Sequence, residues 1–182
     1  MNNCYLVFGP EGSGTRLITR ILIGAGCQGD DVHLQSFDIE NNFDDYSSCS
    51  LPLAKSPVVL RRSFPYGMWW PDIPMLINSI KQQNYDPYIV IVSRDWKGIL
   101  GSQVRRKMAG GQEEDILHNI RKTYKFILSN ISMEKFVIVN YENLILEKKA
   151  VNEFLKQIEL KPLTDLKLKM LNLRNENKKY YG

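Results

Sequence analysis

The stretch that most constrains this chain is Cys4-Tyr5-Leu6-Val7-Phe8-Gly9-Pro10-Glu11-Gly12-Ser13-Gly14-Thr15-Arg16. It opens as a short apolar run suited to a buried strand. A loop with three glycines follows, and then Leu17, Ile18, Ile21 and Leu22 recur at helical spacing. Strand, glycine loop and helix in that order aim free backbone N–H groups and a helix N-terminus at an anion. Glycine lets the loop take positive φ and approach a ligand closely. The pattern predicts a loop that holds a phosphate or phosphate-like group, with Ser13 and Thr15 adding hydroxyl donors. The bland alternative is a strand-to-helix turn with no ligand, but three glycines and two hydroxyls are more than such a turn needs.

Gly9 and Gly14 have the spacing of the nucleotide-triphosphate loop G-x-x-x-x-G-K-[ST]. The position of its Lys is held by Thr15, and the position of its magnesium-binding hydroxyl by Arg16. The loop is shaped for phosphate without the equipment for metal-assisted triphosphate chemistry.

The remaining composition excludes more than it selects. A chain of 182 residues, 43% hydrophobic and 24% charged, is enough for one domain over residues 1–182 with a sizeable core. A net charge of +4 suits anionic ligands but is too small to argue for nucleic acid. Cys4, Cys27 and Cys49 are odd in number and lack metal-ligand spacing, which points to a reducing compartment. No apolar run reaches membrane-spanning length and no signal-like segment opens the chain, so the expectation is a cytoplasmic protein with no membrane span. Oligomeric state is not readable.

Further strands are expected at Pro57–Leu60, Tyr88–Ser93 and Phe136–Val139. Helices are expected from Asp72, from Trp96, over Glu113–Ser129, over Glu147–Ile158 and near 164–172. The run Tyr88-Ile89-Val90-Ile91-Val92 is continuously apolar, as in a strand buried on both faces. Strands alternating with helices predict an α/β fold: three P-loop-like layers, with a central, mainly parallel β-sheet flanked by helices. Ligands of such sheets sit at the C-terminal strand ends. There the chain places the glycine loop, Arg61-Arg62-Ser63, Arg94-Asp95 and Asn140-Tyr141-Glu142. Arg94 and Ser102, eight residues apart across a helix start, either converge on one phosphate or form an Arg–Asp surface pair beside an ordinary helical Ser.

Taken together, the glycine loop and the Arg94/Ser102 pair resemble the sulfotransferases that use 3′-phosphoadenosine 5′-phosphosulfate (PAPS). In that family a loop often containing S-G-T binds the 5′-phosphosulfate. A later strand-end Arg and a Ser eight residues on bind the 3′-phosphate. The matching residues are Gly12, Ser13, Gly14, Thr15 and Arg16, and then Arg94 and Ser102. Val139-Asn140-Tyr141-Glu142-Asn143-Leu144 and the helix ending in Phe154-Leu155 are similar to a third family stretch, so the resemblance covers roughly residues 4–160. It is that of a small bacterial or phage-type member with some likeness to heparan-type enzymes.

The resemblance implies sulfuryl transfer from PAPS, without a metal, to a hydroxyl or amine of a glycan or small-molecule acceptor, leaving 3′,5′-bisphosphoadenosine (PAP). It implies catalytic roles for Asp31 as carboxylate, His33 as its neighbour or as the base, and Arg16 as a cation. Many family members carry Lys or Arg just before S-G-T; this chain has Gly12 there, leaving Arg16, Arg61 or Arg62 to serve the leaving group. His118 is read as structural. The aromatic stretch Phe64 to Trp70 forms an acceptor pocket or a packed lid. Trp96 stacks on adenine or sits in the core, and Lys178 and Lys179 reach the nucleotide or lie in a solvated tail. The competing functions are a P-loop nucleotide or small-molecule kinase and a nucleotide-binding module that has lost catalysis.

Overall fold

The computed structural model describes residues 2–29, 57–65, 70–106, 113–131 and 134–180. Four strands, β1 (Asn2–Pro10), β2 (Val58–Phe64), β3 (Tyr85–Ser93) and β4 (Lys135–Asn140), pair in parallel in the order β2-β1-β3-β4. Helix α1 (Thr15–Gly24) follows β1 and α2 (Ile73–Gln82) follows β2. Helices α3 (Trp96–Arg105) and α4 (Glu113–Ser129) lie between β3 and β4. After β4 come α5 (Tyr141–Leu146), α6 (Lys148–Gln157), α7 (Asp165–Met170) and a 3-10 helix (Glu176–Tyr180).

The sheet is a septum between two cores. Along β1, Cys4, Leu6 and Phe8 face one core, and Tyr5 and Val7 the other, each at most 1% exposed. The first core is closed by Ile73, Leu76, Ile77 and Ile80 of α2 and Ile127 of α4. The second is closed by Ile18, Ile21 and Leu22 of α1, Leu144 of α5, and Val151, Phe154 and Leu155 of α6. This is why β1 and β3 read as continuous apolar runs: a parallel strand covered on both faces has no polar side. Helix α2 starts where expected, with the Asp72 carboxylate accepting from the Met75 N–H at 2.8 Å.

Strand β3 begins three residues earlier than the apolar run suggests, at Tyr85, and contains Pro87. Pairing with β4 starts only at Tyr88, so Pro87 lies where β3 has a partner on one side alone. No helix among the described residues is long and apolar enough to cross a membrane.

The chain leaves β1 for β2 on one side and then returns for β3 on the other. The C-terminal ends of β1 and β3 therefore bound the crevice where the strand order reverses, which is where ligands of open α/β sheets sit.

Candidate functional site

The loop after β1 opens into that crevice. Gly12 and Gly14 both take positive φ, +85° and +99°, which only glycine adopts at little cost. Gly14 is the N-cap of α1 and supplies no side-chain cap. The Glu11 N–H donates to the Phe64 carbonyl at 3.2 Å and the Ser13 N–H to the Pro10 carbonyl at 3.0 Å. Among the described residues no backbone carbonyl accepts from the N–H groups of Gly12, Gly14, Thr15 or Arg16. Orphan donors at an uncapped helix N-terminus favour an anion.

A cavity of about 540 Å³ lies over this terminus. Gly12, Gly14, Thr15 and Arg16 line it, and so do Arg94 and Ser102. The two sequence motifs thus meet in one site. Ser102 packs so closely on the loop that a Cβ on Gly12 would lie 3.1 Å from the Ser102 Cβ. Seven of the chain's nine arginines (16, 20, 61, 94, 105, 106 and 174) line the cavity, while none of its fifteen lysines is among the described lining residues. Guanidinium groups bind oxyanions through paired N–H donors, which a lysine ammonium cannot match. Among the described lining residues one carboxylate stands with them, that of Glu11, in an ion pair with Arg106 at 3.0 Å.

Arg94 is the most constrained of these side chains. Its Nη1 donates to the Gly12 carbonyl at 2.7 Å, and its Nε donates to Asn177 Oδ1 at 2.8 Å. Nη2 donates to the same Asn177 oxygen. Its guanidinium lies over the Tyr141 ring, 4.4 Å from the centroid. The Tyr141 ring in turn closes on Gly14, where a Cβ would stand 2.3 Å from ring carbon Cδ2. The arginine at the end of β3, the glycine loop and the start of α5 therefore form one packed unit. The Asp95 carboxylate caps α3, accepting from Lys97 N–H at 2.9 Å and Gly98 N–H at 3.4 Å.

Other expectations fall differently. Ser13 is fully buried and is not among the residues lining the cavity; its Oγ would lie 2.5 Å from a Cβ on Gly9 and has no hydrogen-bond partner among the described residues. The Thr15 hydroxyl is bonded to Ser63 Oγ at 2.9 Å. Of the two arginines on β2, Arg61 lines the cavity and Arg62 does not, as alternation along a strand requires. Asp31, His33 and Cys49 lie outside the described residues, as do residues 66–69 of the aromatic stretch. Of the ends of that stretch, Phe64 is in the core, packed on Phe8 with centroids 5.1 Å apart, and the partly buried Trp70 packs against the core on Phe126 at 4.9 Å.

Trp96 is neither core nor cavity wall; it is 43% exposed. His118 is exposed on α4 rather than packed. The polar tail is not simply solvated. Lys178 and Lys179 are exposed, but Asn177 in the same 3-10 helix is 2% exposed, and Tyr180 lines the cavity.

Arg20, Arg105, Arg106, Arg174 and Tyr180 join the cavity wall without belonging to either sequence motif. Only Arg20 carries a local signal, one helical turn after Arg16 on the same face of α1.

No protein-family model and no curated protein sequence matches the chain. Its fold is nevertheless shared with solved structures. The sulfotransferase domain from the curacin biosynthetic pathway superimposes with a TM-score of 0.61 at 14% identity, over 97% of this chain and 80% of that one. A mouse sulfotransferase complexed with PAP superimposes with a TM-score of 0.51 at 12% identity, over 93% of this chain and 62% of that one. The chain has the sulfotransferase fold.

Proposed function

On that fold, we propose that the chain is a PAPS-dependent sulfotransferase. The loop from Gly12 to Arg16 and the N-terminus of α1 take the 5′-phosphosulfate, and Arg94 with Ser102 takes the 3′-phosphate. One observation carries the reading: the Arg94 Nη1 hydrogen bond to the Gly12 carbonyl. It seats the strand-end arginine on the glycine loop, and the loop residues line one arginine-rich cavity together with Arg94 and Ser102. The bound PAP of the mouse relative supports the choice of nucleotide.

PAPS supplies the sulfuryl group. The acceptor oxygen or nitrogen forms a bond to sulfur as the bond between sulfur and the bridging phosphate oxygen breaks. The acceptor's proton passes to a base, and negative charge grows on the leaving phosphate. The chain's contribution is positioning and preorganised positive charge. Unspent N–H groups at the start of α1 stabilise the phosphate, and Arg16 and Arg61 are the cations on the loop side of the cavity that take the place of a Lys before Ser13. By resemblance, the proton goes either to the Asp31 carboxylate, with His33 its neighbour, or to His33 itself. The acceptor is a glycan or small molecule.

A thermal melt with PAP, and separately with magnesium-ATP, tests the reading. A ligand that binds only the folded state, at a hundredfold its Kd, adds about 2.7 kcal/mol. A shift with PAP and none with magnesium-ATP is expected; the reverse pattern overturns the proposal in favour of a kinase.

A further inference from the structure

Arg94 does not set its own orientation. The Asn177 side chain, buried at 2% exposure, accepts from both Nε and Nη2 of Arg94 through Oδ1. Its Nδ2 donates to Glu142 Oε1. The same Glu142 oxygen accepts from the Asp95 N–H at 3.1 Å. The amide's direction follows from chemistry: a guanidinium only donates and an ionised carboxylate only accepts, so a flipped amide would face donor with donor and acceptor with acceptor.

The hydrogen bonds use one N–H on Nε, one on Nη1 and one on Nη2. Of five guanidinium donors, one remains on each terminal nitrogen. Those two N–H groups are the fork that grips two oxygens of a phosphate.

Helix α3 is built to admit this arrangement. A Cβ on Gly98 would lie 2.6 Å from Asn177 Oδ1 and 3.0 Å from Arg94 Nε. A Cβ on Gly101, one turn on, would lie 2.3 Å from the Tyr180 ring. Two glycines on one face of α3 thus seat the 3-10 helix against the arginine.

We infer that Asn177 is a positioning residue for the 3′-phosphate. With Glu142 behind it, the amide fixes the Arg94 fork toward the cavity without spending the arginine's charge. A carboxylate at 177 would pair with Arg94, face Glu142 with a like charge and oppose a phosphate. The inference rests on the sulfotransferase reading, because it concerns how Arg94 recognises the 3′-phosphate.

The test is the affinity ratio between PAP and adenosine 5′-monophosphate, which lacks the 3′-phosphate, measured by calorimetry on wild type, Asn177→Ala and the near-isosteric Asn177→Asp. Wild type prefers PAP. Asn177→Ala lowers that preference about tenfold, the scale of one charge-assisted hydrogen bond, and Asn177→Asp lowers it further. The affinity for the monophosphate changes little in either variant. A purely structural role would weaken both ligands alike or only lower the melting temperature. Should the alanine variant not fold, Asn177→Asp, of the same shape, carries the comparison. An unchanged ratio in folded variants overturns the inference and leaves the sulfotransferase reading standing. No PAP binding by wild type overturns both.

Discussion

Gly14→Ala perturbs the point where the loop, α1 and α5 meet. The residue has φ +99°, so an alanine there carries the left-handed penalty of about 1–2 kcal/mol. Its Cβ would stand 2.3 Å from Tyr141 Cδ2 and 2.7 Å from Cε2, well inside contact distance. The ring cannot simply yield. Tyr141 is 5% exposed, and the Arg94 guanidinium lies over it. Overpacking of this kind costs roughly 1–3 kcal/mol. The sum is about 2–5 kcal/mol, or a fall in Tm of roughly 5–20 °C for a chain of this size. Urea unfolding monitored by tryptophan fluorescence measures it. PAP affinity falls as well, because the displaced ring moves Arg94. The double variant Gly14→Ala/Tyr141→Leu recovers the overpacking part of the stability and keeps the backbone part. A Gly14→Ala protein within about 0.5 kcal/mol of wild type, the usual range for an inconsequential substitution, would refute the packing account of the site.

Arg94→Gln with Ser102→Ala removes the 3′-phosphate donors; PAP affinity drops on the order of a hundredfold and adenosine 5′-monophosphate affinity falls far less, by calorimetry. Thr15→Val leaves the buried Ser63 hydroxyl without the bond it makes at 2.9 Å and costs about 1–3 kcal/mol in urea unfolding, whereas Thr15→Val with Ser63→Ala is close to neutral. Burial pushes the Cys27 thiol up to about 12 from its ordinary 9.0, and Tyr124, whose hydroxyl donates to the Val92 carbonyl, up to about 12 from 10.0. Each group is still protonated in the fold where its unfolded counterpart has lost its proton. Stability is therefore full below pH 9 and falls as pH rises toward 12, by up to about 1.4 kcal/mol per pH unit for each group. Denaturation at a series of alkaline pH values measures the slope, and Cys27→Ala makes it shallower between pH 9 and 10.

What the sequence revealed was local or periodic. The apolar runs of β1 and β3, the Asp72 cap and helix α4 over Glu113–Ser129 follow from spacing and capping, and the meeting of the glycine loop with Arg94 and Ser102 from strand-end placement together with the family resemblance. What it hid depends on distant partners. Asn177 looks like a tail residue because nothing near it is periodic or apolar, yet its partners lie 83 and 35 residues back, at Arg94 and Glu142. The stretch Phe64 to Trp70 reads as a pocket or a packed lid because it is aromatic and proline-bounded; Phe64 is buried against Phe8 in the core, and Trp70 packs partly buried on Phe126. Arg105 and Arg174 carry no pattern of their own, and only folding brings them to one cavity wall.

A crystal structure with PAP bound is the most direct measurement. The 5′-phosphate is expected on the N–H groups of Gly12, Gly14, Thr15 and Arg16, and the 3′-phosphate on both terminal nitrogens of Arg94 and Ser102 Oγ, with Asn177 still bonded to Nε. A nucleotide bound elsewhere, or with its 3′-phosphate out of reach of Arg94, would contradict this placement.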